Sequence, residues 1–206
     1  MPTREYRLKN GTRVPGVTTV IGGQLAWSKP ALLWWAWSQG KEGKDFRETK
    51  DEAADLGTRV HALIERQMRG QLIGEISTDC ESALLAFYEW RDSVKLEATG
   101  SEVPMVSEKF GYGGTIDYPA LVSRRRVILD LKTSKGVYPD HRIQLAAYGW
   151  LWNETHPDDP VTGYHLLQVG KETGGFAHFY YPSLEKEFQA FLLLRELYRL
   201  QKEIGK

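Results

Sequence analysis

The chain has 206 residues, 41% of them hydrophobic and 26% charged, which suits one sizeable core and excludes the disordered and membrane classes. Its 27 basic residues balance its 27 acidic ones, arguing against a large non-specific nucleic-acid footprint. Cys80 is the only cysteine, so neither a disulfide framework nor a cysteine-held zinc or iron–sulphur cluster is available.

The chain opens without a signal-peptide pattern, and no apolar run reaches the roughly 18 residues of a membrane span. The expectation is one soluble, cytoplasmic domain over residues 1–206. It divides into an N-terminal hairpin and helical part (1–100), a sheet and helix carrying the chemistry (101–182), and a C-terminal helix (183–206). Charge is nonetheless segregated: up to Lys50, nine lysines and arginines face Glu5, Glu42, Asp45 and Glu48 alone. This is a candidate basic surface, although a solvated face explains it more simply.

Asn10-Gly11 is a strong hairpin signal and Pro15-Gly16 a second break, so a small hairpin precedes Val17-Thr18-Thr19-Val20-Ile21. Lys29 to Gln39 reads as a helix with Pro30 in its first turn and Gly40 as its stop. It carries Trp34, Trp35 and Trp37 just after Trp27, and consecutive tryptophans cannot all face one core. Asp45 to Met68 has helical spacing, and His61 and Glu65, four apart, share a face. Asp79 is expected to cap a helix running to about Lys95.

Three strands are expected next: Val103 to Phe110, Thr115 to Val122 and Val127 to Lys132, with a Gly-rich turn at Gly113-Gly114 and a polar turn at Ser123. A helix from about Asp140 to Asn153 follows, with Gln144 and Tyr148 one turn apart. Tyr164 to Val169 and Phe176 to Tyr181 alternate as two strands across Gly174-Gly175, and Ser183 is expected to cap an amphipathic helix ending near Glu203. This order implies an α/β fold, a mixed central sheet flanked by helices.

The chemistry concentrates between Glu108 and Tyr148. A strand points alternate side chains to opposite faces, so Asp130 and Lys132 share one face of an otherwise apolar strand. Such charges are costly to bury without partners. Asp117 and Asp130 lie near the ends of consecutive strands, where antiparallel pairing would bring their carboxylates together as a hard-oxygen site for magnesium or manganese. Taken singly, a strand-end aspartate for Asp117 and a cross-strand ion pair for Asp130 with Lys132 are the simpler readings. His61 and Glu65 on an earlier helix weigh toward the metal. Gln144 and Tyr148 read equally as a helix face packed on the sheet. Thr133, Ser134 and Lys135 could donate to a phosphate, although a strand-end turn accounts for them equally. The tryptophans could stack on splayed bases, with core packing the simpler reading for most of them. His141, His156, His165 and His178 lack metal-like company.

Asp130-x-Lys132 after an upstream acid, followed by Gln144-x-x-x-Tyr148, resembles the PD-(D/E)XK nuclease superfamily and, within it, the RecB-like exonuclease group. Gly57-Thr58-Arg59-Val60-His61 looks like that group's helical histidine motif and Gly113-Gly114-Thr115-Ile116-Asp117 like its strand motif. Val14-Pro15-Gly16-Val17 and the segment around Trp35 are similar to small phage nucleases and to the mitochondrial genome-maintenance exonuclease. The resemblance runs from about Pro15 to Tyr148. Asp130 stands where many relatives have glutamate, and the missing cysteines place the chain with the cluster-free members.

The resemblance implies a restriction-endonuclease-like core and a metal-dependent deoxyribonuclease, an exonuclease leaving 5′-phosphates in phage or bacterial replication, recombination or repair. An endonuclease of the same fold and a catalytically silent nucleic-acid-binding subunit are the alternatives. It implies that His61, Asp117, Asp130 and the Leu131 carbonyl ligate one or two Mg2+ or Mn2+ ions, with Glu65 and Glu108 as candidate extra carboxylates. Asp117, Asp130, Lys132, Gln144 and Tyr148 would be the catalytic set. Thr133, Ser134, Lys135, Gln144, Tyr148 and Trp35 would meet DNA, and a recombination or replication protein is a candidate partner.

Overall fold

The computed structural model describes residues 4–25, 29–71, 74–134, 136–170 and 175–205. Asn10-Gly11 makes the expected turn: Gly11 takes the left-handed φ of 85°, the Asn10 amide oxygen accepts from the Thr12 N–H at 2.9 Å, and β1 (Tyr6–Arg7) pairs antiparallel with β2 (Arg13–Val14). The β-branched run after it becomes helix α1 (Val17–Gln24). Strand propensity yields there because Val17, Val20 and Ile21, at helical spacing, bury one face.

Helix α2 (Lys29–Lys41) buries none of its residues. Helix α3 (Phe46–Met68) starts where the Asp45 carboxylate accepts from the Arg47 N–H, and turns Gly57, Val60 and Ile64 inward. Helix α4 (Thr78–Val94) begins after Ser77, so Asp79 lies inside its first turn and is not its cap. Lys95, at φ 53°, ends it in the left-handed conformation that stops many helices.

The strand region departs from the expectation in two ways. A short strand β3 (Glu97–Ala98) precedes β4 (Val103–Ser107), and the stretch read as one strand from Thr115 to Val122 is cut at Asp117 into β5 (Tyr112–Ile116) and β6 (Tyr118–Val122). β5 pairs with β4 in a separate two-stranded sheet, whereas β6 joins the main sheet. Gly113 and Gly114 therefore lie inside β5 and form no turn. Side chains there would collide with neighbours: a Cβ on Gly113 would fall 2.3 Å from the Tyr6 ring, and one on Gly114 2.7 Å from the Tyr148 ring. Glycine serves close approach here.

β7 (Arg125–Lys132) follows a two-residue turn whose Ser123 and Arg124 both have positive φ, 51° and 62°. Mirror-image turns of this kind match the strand twist of a hairpin. α5 (Pro139–Thr155) crosses to β8 (Gly163–Val169), which pairs parallel with β7 and antiparallel with β9 (Phe176–Tyr181). The central sheet has the order β3-β6-β7-β8-β9 and is mixed, as expected. α6 (Glu185–Ile204) starts after Leu184, with no capping role for Ser183. The Gly174 half of the expected turn before β9 falls outside the described residues.

Cores fill both faces of this sheet. Ile128 and Leu166 pack with α1, α5 and α6 on one side, while Leu129, Leu131 and Leu167 pack with α3 and α4 on the other. Rings as large as the fully buried Trp90 and Phe87 on α4 each remove about 150–250 Å2 from water, worth roughly 4–6 kcal/mol at about 25 cal/mol per Å2. Strand β7 is thus buried on both faces. Asp130 is the buried polar residue on the face of Ile128.

Candidate metal centre

Asp117 occupies the residue at which the chain passes from one sheet to the other. The β6–β7 register pairs Tyr118 with Leu129, so the next residue on each strand is Asp117 on one and Asp130 on the other. The Asp117 carboxylate accepts from the Leu131 N–H at 3.1 Å, which ties it across the sheet. From α3, His61 brings its Nδ1 to 3.9 Å from Asp117 Oδ2. Gly57, one turn earlier, lets that helix approach: a Cβ there would fall 2.8 Å from Thr133 Oγ1.

The third member is Glu102, which the sequence reading missed. Val103 pairs with Ile116 in the β4–β5 register, and one step further the Glu102 N–H donates to the Asp117 carbonyl at 2.9 Å. Glu102 holds a left-handed φ of 51°, unusual for a residue with a Cβ and itself a mark of a constrained position. Ligand atoms of His61, Glu102 and Asp117 all lie within 4.8 Å of one another. One imidazole and two carboxylates, each half-buried, form a donor set that could hold a metal ion, and their nitrogen and oxygen atoms suit a hard or borderline divalent cation. Burial, then Asp117 and Glu65, push the Glu102 carboxyl up to about 7. A cation among these carboxylates would reverse that cost.

Beside this group lies the acid–lysine pair. Asp130 is fully buried and its Oδ2 lies 2.7 Å from Lys132 Nζ. Lys132 donates to Gln144 Oε1 at 3.1 Å, and the Gln144 amide donates to Tyr148 Oη at 2.9 Å and to Asp130 Oδ1 at 3.4 Å. The two-residue spacing on β7 and the four-residue spacing on α5 thus converge on one network. Burial raises the Asp130 carboxyl above its usual range although Lys132 opposes it. For Lys132 burial works downward, but Asp130 and Asp117 outweigh it, so the ammonium is held cationic. The Tyr148 phenol is pushed far up by burial and by Asp117 and Asp130, and stays protonated.

The other residues singled out in the sequence fall at varied distances from this centre. Glu65 is held by Arg69 at 2.6 Å and accepts from the Ser101 hydroxyl at 3.4 Å, next to Glu102. Glu108 sits elsewhere, exposed, accepting from the Lys9 N–H at 2.7 Å. Thr133 meets Gly57, and the Ser134 hydroxyl donates to the Gly136 carbonyl at 2.7 Å, while Lys135 lies outside the described residues. Trp35 is half-buried, edge-on to Phe46 of α3 at 6.4 Å between ring centres. His141 has more company than its sequence suggested: burial and then Lys132 lower its imidazole, and its Nδ1 accepts from the Tyr138 N–H at 3.3 Å. His165 and His178 instead stack on each other and share a 2.8 Å hydrogen bond.

The fold and this cluster define a mixed α/β protein with a candidate metal centre beside a buried acid–lysine pair. No family model and no curated protein matches the sequence. Among solved structures, SSO0001 is 18% identical with a TM-score of 0.39 over 55% of this chain, and the chain spans about half, 54%, of its length. A "Putative exonuclease" from Eubacterium rectale is 14% identical with a TM-score of 0.49, over 73% of this chain and 68% of that one. At such identities and scores neither likeness bears on activity. No described helix is long and apolar enough to cross a membrane.

Proposed function

We propose that the chain is a metal-dependent nuclease that hydrolyses DNA phosphodiester bonds, an exonuclease leaving 5′-phosphates and serving phage or bacterial DNA replication, recombination or repair. The observation that carries this reading is the adjacency of two unlike groups: an imidazole and two carboxylates on one side, and Lys132 held by Asp130 and Gln144 on the other. A simple ion pair needs only the second.

His61, Glu102 and Asp117 would hold Mg2+ or Mn2+, with Asp130 and the Leu131 carbonyl completing the set. When bound, such an ion polarises a phosphodiester and makes water more acidic. Lys132, kept cationic, orients the attacking water and offsets negative charge growing on the phosphate. Asp130 and Gln144 fix the ammonium so that little reorganisation is needed when charge develops. Gln144 is itself aimed by the Tyr148 hydroxyl. Water attacks the phosphorus and gives up its proton to solvent, the 3′ oxygen leaves with the electron pair of the broken bond and takes up a proton from solvent, and the phosphate remains on the 5′ side.

The test is digestion of end-labelled single-stranded, duplex and circular DNA with and without Mn2+. Metal-dependent loss of linear but not circular DNA, abolished by Lys132→Ala and by Asp117→Asn, is expected. Cleavage of circles would make it an endonuclease. Binding without cleavage under any divalent ion, or full activity in either variant, would overturn the mechanism.

A further inference from the structure

Among the described residues, helix α2 presents an aromatic and basic face that stays exposed. Trp34 and Trp37 are 67% and 58% exposed, and Leu33 beside them is 72% exposed. Leu33, Trp34, Trp37 and Lys41 sit at spacings of three and four, so they form one continuous helical face. Trp35 points away from that face and meets Phe46 of α3. The only charges of α2 are Lys29 and Lys41, and the Lys41 ammonium lies over the Trp37 ring at 4.7 Å. Arg47, just beyond, lies over the Phe46 ring at 5.7 Å. Of the nearby acids, Glu42 pairs with Lys44 and Asp45 caps α3.

We propose that this face of α2 is a stacking platform for the bases of a single-stranded nucleic acid, with Lys29 and Lys41 toward its phosphates. The inference rests on the nuclease reading and names the form of its substrate. Solvent-exposed indoles beside cations, without acids on the same helix, suit a polyanion that offers flat π surfaces. A duplex hides those surfaces in its own stack, whereas an unpaired strand splays them out. Placement agrees: Thr49 of α3, which donates to Gln39 of α2, precedes His61 by a helical rise of about 18 Å. A strand several nucleotides long can touch both.

The experiment is a fluorescence-anisotropy titration of a labelled 20-nucleotide single strand, and of its blunt duplex, in EDTA. The expected result is tighter binding of the single strand, weakened about tenfold by each of Trp34→Ala and Trp37→Ala. Trp34→Phe with Trp37→Phe, which keeps the π faces, retains most of it. Circular dichroism checks that the exposed substitutions leave the fold intact. Unchanged affinity in the double alanine variant overturns the inference. So does loss of binding to anionic phosphatidylglycerol vesicles, or of self-association by light scattering, with strand affinity intact; these outcomes assign the face to a membrane surface or to a second copy. Because the titration needs no metal and no cleavage, the two readings fail separately. Strand binding through these indoles in a protein that never cleaves overturns the nuclease reading alone. Cleavage by a protein whose alanine variants bind normally overturns this inference alone.

Discussion

Replacing Lys132 by Met strands the Asp130 carboxylate. Asp130 is fully buried, its contact with Lys132 is 2.7 Å, and its hydrogen bond from the Gln144 amide is a long 3.4 Å. Two unit charges at that separation attract by about 6 kcal/mol at an effective dielectric constant of about 20. Desolvation offsets much of this, and breaking a buried pair from one side costs roughly 3–5 kcal/mol. Lys132 keeps 16% of its side chain exposed, so the lower figure, about 3 kcal/mol, is the expectation. For a domain of this size it corresponds to a fall in Tm of roughly 6–12 °C.

The pH dependence fixes the cause. Burial already raises the Asp130 carboxyl in the folded protein, and losing Lys132 raises it further, so the folded variant prefers the protonated acid. An unfolded aspartate ionises near about 3.9. The unfolded states of the two proteins share that value, so the deficit relative to wild type is full above the variant's raised folded value and shrinks as pH falls toward the wild type's own, itself above the usual aspartate range. Urea unfolding in EDTA at pH 8 and pH 5 measures it, and Asp130→Asn combined with Lys132→Met should recover much of the loss. A deficit below about 1 kcal/mol, or one that grows on acidification, would refute the buried-pair account.

Gly57→Ala should cost about 1–3 kcal/mol and weaken divalent-metal binding, because the added methyl meets Thr133 Oγ1 at 2.8 Å and pushes away the helix carrying His61; Thr133→Ala in the same chain should relieve both, as a double-mutant cycle with calorimetric Mn2+ titration would show. His165 is lowered to about 4 by burial and then by His178, so the stability it contributes is present above about 6.5 and is lost as pH falls through about 4. NMR titration should place its midpoint far below 6.5, and His165→Gln should flatten the acid limb of the stability curve.

The acid–lysine half of the site was legible because its geometry is local. Alternation on one strand put Asp130 and Lys132 together, and one helical turn put Gln144 beside Tyr148. His61 was readable as a helical histidine with a glycine four residues before it, although only the structure explains that glycine by its contact with Thr133. Glu102 was not legible. Its place comes from the β4–β5 register, which sets an acid in a polar loop beside Asp117, and no spacing within the sequence reports that pairing. Gly113 and Gly114 misled for a related reason: glycine signals a turn locally, but here two distant tyrosine rings demand it. The break at Asp117 was hidden because both sides alternate as strands, and only pairing partners show that they belong to different sheets. The tryptophans divided as side-chain count dictates, with one of α2's three against α3 and two in solvent.

The central claim is that His61, Glu102 and Asp117 form one cation site, and Mn2+ binding by the metal-free protein, read by electron paramagnetic resonance of the free ion, tests it most directly. Saturable binding in wild type that is weakened at least tenfold by Glu102→Gln and by His61→Ala, with the fold intact by circular dichroism, is the predicted result. Binding that is absent in wild type, or unchanged when Glu102 loses its charge, would contradict it.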